Sequence, residues 1–172
     1  MVKPIETRWR GCRFRSRLEA RWAVFIDSLG LRWEHEPQGF MTSLGPYLPD
    51  FWLPSQRTWV EIKPQVDGWV DLNTDPAVRK LADVVGGEAT TGLLIFGHPG
   101  DFLAFEANVS QGDGKVYWSA SHSLIVLNKK EWGLTITGID YTDDNLEFPT
   151  QPEILAARRT SLGARFEHGE MP

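Results

Sequence analysis

The stretch Tyr47-Leu-Pro-Asp-Phe-Trp-Leu-Pro-Ser-Gln-Arg-Thr-Trp-Val-Glu-Ile-Lys63 decides the fold. Two runs of aromatic and β-branched residues flank the polar break Pro54-Ser55-Gln56-Arg57, the pattern of a β-hairpin. A loop centred between Ser55 and Gln56 sets Asp50 directly opposite Glu61. Because side chains alternate along a strand, Leu48, Asp50 and Trp52 then share a face with Trp59, Glu61 and Lys63. Phe51, Leu53, Val60 and Ile62 share the other. Large apolar groups on both faces predict a sheet covered on both sides. Opposed carboxylates in such a place repel, since directly paired residues have Cβ atoms about 5 Å apart, and burial adds to the cost. A hard divalent cation resolves the conflict, two carboxylates being the usual protein share of a Mg²⁺ site. Lys63, two residues beyond Glu61 on the same face, adds a fixed positive charge. The competing reading is a surface salt bridge on a solvated edge, against which the neighbouring Trp and Leu residues argue.

Working outward, Ser16-x-x-Glu19 has the form of a capping box opening a helix, with Leu18, Trp22, Phe25, Ile26 and Leu29 as its apolar stripe and Gly30 as its end. Glu19 is therefore open to two readings, a cap or a side chain aimed at the carboxylate face of the hairpin, where it holds a second metal or the attacking water. Leu31–Glu36 alternates as a strand, with His35 a surface or half-buried residue, and 38–46 reads as a turn region. Thr74-Asp75-Pro76 starts a second helix running to about Val85, stopped by Gly86-Gly87, with Arg79 and Lys80 on its solvated side. Gly92–Gly97 is a continuous apolar run, as in a buried parallel strand. From residue 16 to 97 the order is helix, three strands, helix, strand, an α/β unit of form αβββαβ with a mixed central sheet flanked by helices. Residues 98–172 follow as a mostly β extension, with a turn at His98-Pro99-Gly100, strands near 102–107, 115–119, 124–127 and 134–139, an acidic loop at 141–147, and a final helix from Pro152 whose apolar side holds Ile154, Leu155, Ala157 and Leu162. That extension belongs to the same compact domain.

Charge is divided unevenly. The net charge is −5, yet residues 1–32 hold eight Lys/Arg against three Asp/Glu. Residues 1–15 read as a basic extended arm turning at Gly11. Arg8, Arg10, Arg13, Arg15, Arg17 and Arg21, interleaved with Trp9, Phe14 and Trp22, suit contact with a phosphate backbone. The other reading of these arginines is a solvated face paired with the acidic remainder of the chain. The 172-residue composition, 41% hydrophobic and 24% charged, is that of an ordinary globular protein. No apolar run approaches a membrane span, no secretory h-region follows the basic N-terminus, and a lone cysteine, Cys12, fits a reducing cytoplasm.

Pro49-Asp50, ten intervening residues and Glu61-Ile62-Lys63 resemble the signature of the PD-(D/E)XK, or restriction-endonuclease-like, nuclease superfamily. Glu19 on the preceding helix matches the further acidic residue that many members carry. The stretches Phe14-Arg-Ser-Arg-Leu-Glu-Ala-Arg-Trp-Ala-Val-Phe, Tyr-Leu-Pro-Asp-Phe and Trp-Val-Glu-Ile-Lys are similar to a small phage and actinobacterial group within it, over roughly residues 12–97. The resemblance implies a Mg²⁺-dependent DNA endonuclease, with Mn²⁺ able to substitute, working in a bacterial or phage-infected cell. In that reading Asp50, Glu61 and the backbone carbonyl of Ile62 hold the metal, Lys63 positions the attacking water, and Glu19 tunes the water or a second ion. The products carry 5′-phosphate and 3′-hydroxyl ends. Three alternatives stay open. One is a structure-specific nuclease, a Holliday-junction-type resolvase working as a homodimer or a transposase-type cleavage subunit. Another is an inactive nuclease-fold module that binds DNA or protein. The last is an acidic DNA-mimic protein, which leaves the arginines unexplained.

Overall fold

The structure is a computed structural model that describes residues 5–65, 75–88, 90–111, 113–121, 125–128, 133–136 and 152–166. Its centre is the expected hairpin, β6 (Phe51–Leu53) and β7 (Thr58–Lys63). Phe51 pairs with Val60, Trp52 with Trp59 and Leu53 with Thr58, so the register places Asp50 at the level of Glu61. The turn between them closes by the Gln56 N–H donating to Leu53 O (3.2 Å) and the Arg57 N–H to Pro54 O (3.3 Å). Arg57 takes a left-handed φ of 50° there. β7 then runs parallel to β8 (Thr91–His98), and α2 (Pro76–Glu88) makes the crossover a parallel pair needs. The Asp75 carboxylate accepts from the Ala77 N–H (2.8 Å) and Pro76 follows it, so this helix starts as expected; Thr74 lies outside the described residues. The helix continues through Gly86 and Gly87 to Glu88, past the expected stop.

β8 turns at Pro99–Gly100 into β9 (Asp101–Val109), which pairs with β10 (Val116–Ser121). At the opposite edge β3 (Glu34–His35) pairs with β6. One mixed sheet results, ordered β10-β9-β8-β7-β6-β3. Residues 101–109 and 116–121 therefore extend the central sheet. β11 (Ile125–Asn128) and β12 (Gly133–Ile136) form a separate hairpin. The acidic loop at 141–147 lies outside the described residues.

Helices cover both faces of the sheet. On one, α1 (Arg17–Ser28) and α3 (Pro152–Gly163) bring Trp22, Phe25, Ile26, Ile154 and Ala157 against Phe51, Leu53, Val60, Ile62, Leu93 and Ile95. On the other, α2 sets Val78, Leu81 and Val85 against Trp59, Leu94, Phe96 and Phe105. The Trp22 indole N–H donates to Gly97 O (2.9 Å), tying α1 to the end of β8. Gly97 has φ 104°, and a Cβ there would stand 2.4 Å from Asp101 O, so only glycine fits that point. In α3, Leu155 and Leu162 are exposed and Ser161 takes an inward position. Among the described residues no helix is long and apolar enough to cross a membrane.

Two short hairpins depart from the sequence reading. Residues 7–14 form β1 (Thr7–Trp9) and β2 (Cys12–Phe14), turning through Arg10 and the expected Gly11 with positive φ at both, a paired hairpin in place of an extended arm. Burial of Trp9 and Phe14 against α1 and Trp33 fixes the segment to the body. The expected turn region at 38–46 holds β4 (Phe40–Thr42) and β5 (Gly45–Tyr47). The first expected strand shortens to β3.

α1 begins as its capping box predicts. The Glu19 N–H donates to Ser16 Oγ (3.2 Å), the Ser16 hydroxyl donates to Glu19 Oε1 (2.7 Å), and the Arg15 N–H donates to Glu19 Oε2 (3.1 Å). Ser16→Ala is expected to cost about 1 kcal/mol, and a melting curve should drop by about 2–4 °C.

Candidate active site

β6 ends at Phe51 while β7 runs on to Lys63, so the backbone of Ile62 has no β6 strand to pair with. The Asp50 side chain takes that place: the Ile62 N–H donates to Asp50 Oδ2 (2.7 Å). A residue in a strand sends its N–H and C=O to the same side, so the Ile62 carbonyl also faces Asp50. Glu61 lies on the neighbouring β7 position, pointing to the α2 face. Its Oε2 accepts from the Tyr47 hydroxyl (2.9 Å) and its Oε1 pairs with Lys63 Nζ. Asp50 Oδ1 accepts from Arg15 Nη2 (3.1 Å), and the same guanidinium pairs with Glu36. Asp50 is 4% exposed and Glu61 5%, so both carboxylates are held away from water.

The electrostatics follow from that burial. Desolvation first, then the negative charges of Glu61 and Glu19, push the Asp50 carboxyl well above the ordinary carboxylate range; the Ile62 N–H and Arg15 only partly oppose them. Burial, the charge of Glu61 and the bond to it raise the Tyr47 hydroxyl, keeping it a donor. Burial would lower Arg15, but Glu36, Asp50, Glu19 and Glu61 outweigh it and raise its pKa. Four carboxylates thus stand around two cations, Arg15 and Lys63.

Glu19 takes the capping role, the first of its two sequence readings, and not the place on the carboxylate face. It is buried and caps α1, and it lies 3.5 Å from His35 Nε2 on the α1 side of the sheet, not on the Glu61 face. Burial would raise its pKa, but His35, the Ser16 hydroxyl, the Arg15 N–H and the Arg15 charge together lower it. Arg15 is the link, its backbone on Glu19 and its guanidinium on Asp50. His35 is itself packed between Phe14 and Phe51, with ring centroids 4.5 and 5.7 Å away, and is more enclosed than its polar neighbours suggest.

The other arginines divide. Arg10 pairs with Asp27 (2.9 Å) and lies over the Trp9 ring, and Arg13 pairs with Glu6. Arg8 stands exposed opposite Arg13 in β1–β2, and Arg17 and Arg21 are half-buried on α1. Only Arg15 enters the carboxylate cluster. A cleft of about 910 Å³ opens beside Glu61 and Lys63, bordered by Arg15, Tyr47, Met41 and Lys80. Lys80 is thus not merely solvated: its Nζ also donates to Pro46 O (3.1 Å), holding β5 against α2. Met41, 80% exposed, stands at the rim.

Tyr47 and Glu36 are the members that sequence reasoning missed, and Arg15, expected as one of six phosphate-contacting arginines, is tied instead to Asp50 and Glu36. Tyr47 is three residues before Asp50, which was the available signal; Glu36 reveals itself only through its positive φ of 47° and its N–H donating to Asp50 O (3.0 Å). Among the described residues no three His, Cys, Asp or Glu side chains gather as a metal cage. What the chain offers is an oxygen-only set, Asp50, Glu61 and the Ile62 carbonyl, in a cluster with more negative than positive charge. That donor chemistry and that deficit fit a hard divalent cation whose shell is completed by further oxygen ligands such as water. Comparison of the chain with protein-family models, curated proteins and solved structures finds no match.

Proposed function

We propose that this protein is a Mg²⁺-dependent DNA endonuclease of the restriction-endonuclease-like type, hydrolysing phosphodiester bonds in the cleft beside Glu61 and Lys63. The observation that carries the reading is the buried Asp50–Glu61 pair at the end of the sheet, with Lys63 on Glu61 and Arg15 on Asp50. A pair so enclosed costs stability and is retained where it serves a site. Asp50, Glu61 and the Ile62 carbonyl hold the cation, with Mn²⁺ a workable substitute. When bound there, the ion polarises the phosphate and lowers the pKa of its water. Lys63, whose ammonium reaches the cleft, orients the attacking water and neutralises charge gathering on the phosphate. Arg15, always charged, holds a phosphate oxygen through its outer nitrogen. Glu19 acts through Arg15 as a positioning residue.

The test is incubation with supercoiled, linear, single-stranded and four-way-junction DNA, each with Mg²⁺, Mn²⁺ or chelator. Cutting with either cation and none with chelator is expected. Preference for the junction over the linear duplex assigns a structure-specific resolvase. DNA binding indifferent to Mg²⁺, with no cutting of any form, overturns the reading in favour of an inactive binding module.

A further inference from the structure

A second cleft, of about 450 Å³, lies on the α2 face of the same sheet, toward the start of β7. One row of paired residues explains it. Glu34, Trp52, Trp59, Gly92 and Ala107 sit side by side on adjacent strands, hence on one face. α2 packs down on Gly92, where a Cβ would stand 2.7 Å from Val85. The helix leaves the other end of the row uncovered. Trp52 and Trp59 lie against each other there, centroids 4.5 Å apart and planes tilted 35°, with Phe40 edge-on to Trp59 at 4.9 Å. Trp52 is half-buried, so its ring is open to the cleft.

Two buried polar groups beside this platform lack partners among the described residues. Trp59 is 5% exposed, and its indole N–H finds no acceptor among the described residues; the Thr90 hydroxyl is buried and unpartnered in the same way. An unpaired buried donor is costly, so a ligand acceptor in the cleft relieves both. Glu34 and Glu88 bring two exposed carboxylates to the rim, and Arg57 brings one cation on the turn between β6 and β7. Carboxylates call for N–H donors on the ligand, Trp59 and Thr90 for acceptors, Trp52 for a flat ring.

We infer that this cleft binds a guanine group, stacked on Trp52. Among the bases, guanine alone presents two adjacent donors, N1–H and the 2-amino group, matching a carboxylate in bidentate fashion. Its O6 and N7 are acceptors for the unpaired indole and hydroxyl. Arg57 takes the phosphate. Either a free guanine nucleotide or an unpaired guanine in a strand supplies that chemistry.

Titration of the full chain without divalent cation, followed by tryptophan fluorescence and calorimetry, tests it. The probes are dGMP, dAMP, dCMP, dTMP, inorganic phosphate, an all-thymine oligonucleotide and the same oligonucleotide with one guanine. The guanine probes are expected to bind about tenfold or more tighter than their counterparts; whichever of dGMP and the guanine strand binds tighter identifies the source. The double variant Glu34→Gln/Glu88→Gln, altered only at exposed side chains, is expected to lose that preference with unchanged circular dichroism and melting. Equal binding of all four nucleotides, no binding at all, or a guanine preference that survives in the double variant would overturn the inference. Binding is read without cleavage, so the result is independent of the phosphodiesterase reading.

Discussion

Asp50→Asn is expected to slow Mg²⁺-dependent DNA cleavage by about 10³-fold or more, roughly 4 kcal/mol of barrier. The substitution is nearly isosteric, and its Oδ1 still accepts the Ile62 N–H that Asp50 accepts at 2.7 Å. What it removes, on the proposed reading, is one of the two charges that would hold the cation. Lys63→Met should lose about 10²-fold or more, the scale of a positioned proton-handling group. It keeps the length of the side chain and the fold, because the ammonium is partly exposed and pairs only with Glu61 among the described residues. Lys63→Arg should not restore the rate, since a guanidinium is broader and does not release its protons. Single-turnover kinetics on a DNA form the wild type cuts would read these losses. Ser16→Ala, which loosens Glu19 but leaves Asp50, Glu61 and Lys63 in place, should lose far less than either Asp50→Asn or Lys63→Met. If Asp50→Asn and Lys63→Met both cut at the wild-type rate, the carboxylate pair has no part in the chemistry.

The value of two different positive groups becomes clear from where each sits. Arg15 is anchored from both ends, by its N–H on Glu19 and its guanidinium on Asp50 and Glu36. Four carboxylates hold it charged. Lys63 is attached at one point only and faces the open cleft. A fixed cation suits holding a phosphate; a cation on a flexible stem suits following a water through the reaction. The chain places one of each beside the same pair of acids.

Much of this was written in the alternation of 47–63. Apolar groups at every position around Asp50 and Glu61 required two covered faces, and α1 with α3 on one side and α2 on the other provide them. The register followed from the even loop at 54–57, and Phe51 does meet Val60. The parallel strand was legible because 92–97 carries no polar side chain. Other parts could not be read from local pattern. β4 and β5 have three residues each, too few for alternation to emerge, and they are held by contacts distant in sequence: Lys80 on Pro46, and the Ser43 N–H on Asp83 (2.7 Å). Arg15 looked like one basic residue among six. It differs because β2 ends just before it and α1 starts just after, turning its side chain toward Asp50. One reading of Glu19 aimed it at the Glu61 face, but α1 packs on the opposite face, so Glu19 caps the helix, as its other reading had it, and touches the cluster through Arg15. α3 misled for a similar reason. Its apolar residues suggested a stripe, while contact with α1 selected Ile154, Ala157 and Ser161 and left Leu155 and Leu162 outside.

The same Asp50→Asn change should make the metal-free protein more stable, and this separates a cation site from a merely structural pair. Burial, then the charges of Glu61 and Glu19, raise the Asp50 pKa in the folded chain. A folded state that holds a proton more tightly than the unfolded one is most stable below the unfolded value, about 3.9. That stability is lost as pH rises through the raised folded value. At neutral pH the buried Asp50 carboxyl is therefore a cost, whether it stays ionised or keeps a proton that the unfolded chain releases, and Arg15, itself largely in solvent, offsets the charge only in part. The variant should gain on the order of 1 kcal/mol in chelator at pH 7, a melting temperature about 2–4 °C higher. The gain should shrink as pH falls toward 4, where both proteins are neutral at this position. Mg²⁺ should invert the order. At a hundredfold excess over its dissociation constant a cation stabilises the wild type by about 2.7 kcal/mol, and the variant, lacking a ligand charge, should gain little. Melting curves of both proteins across pH, with chelator and with Mg²⁺, give the four quantities needed. A variant less stable than wild type in chelator, together with a wild type indifferent to Mg²⁺ and Mn²⁺, would mean that Arg15 and Lys63 alone balance the pair and that no cation belongs there.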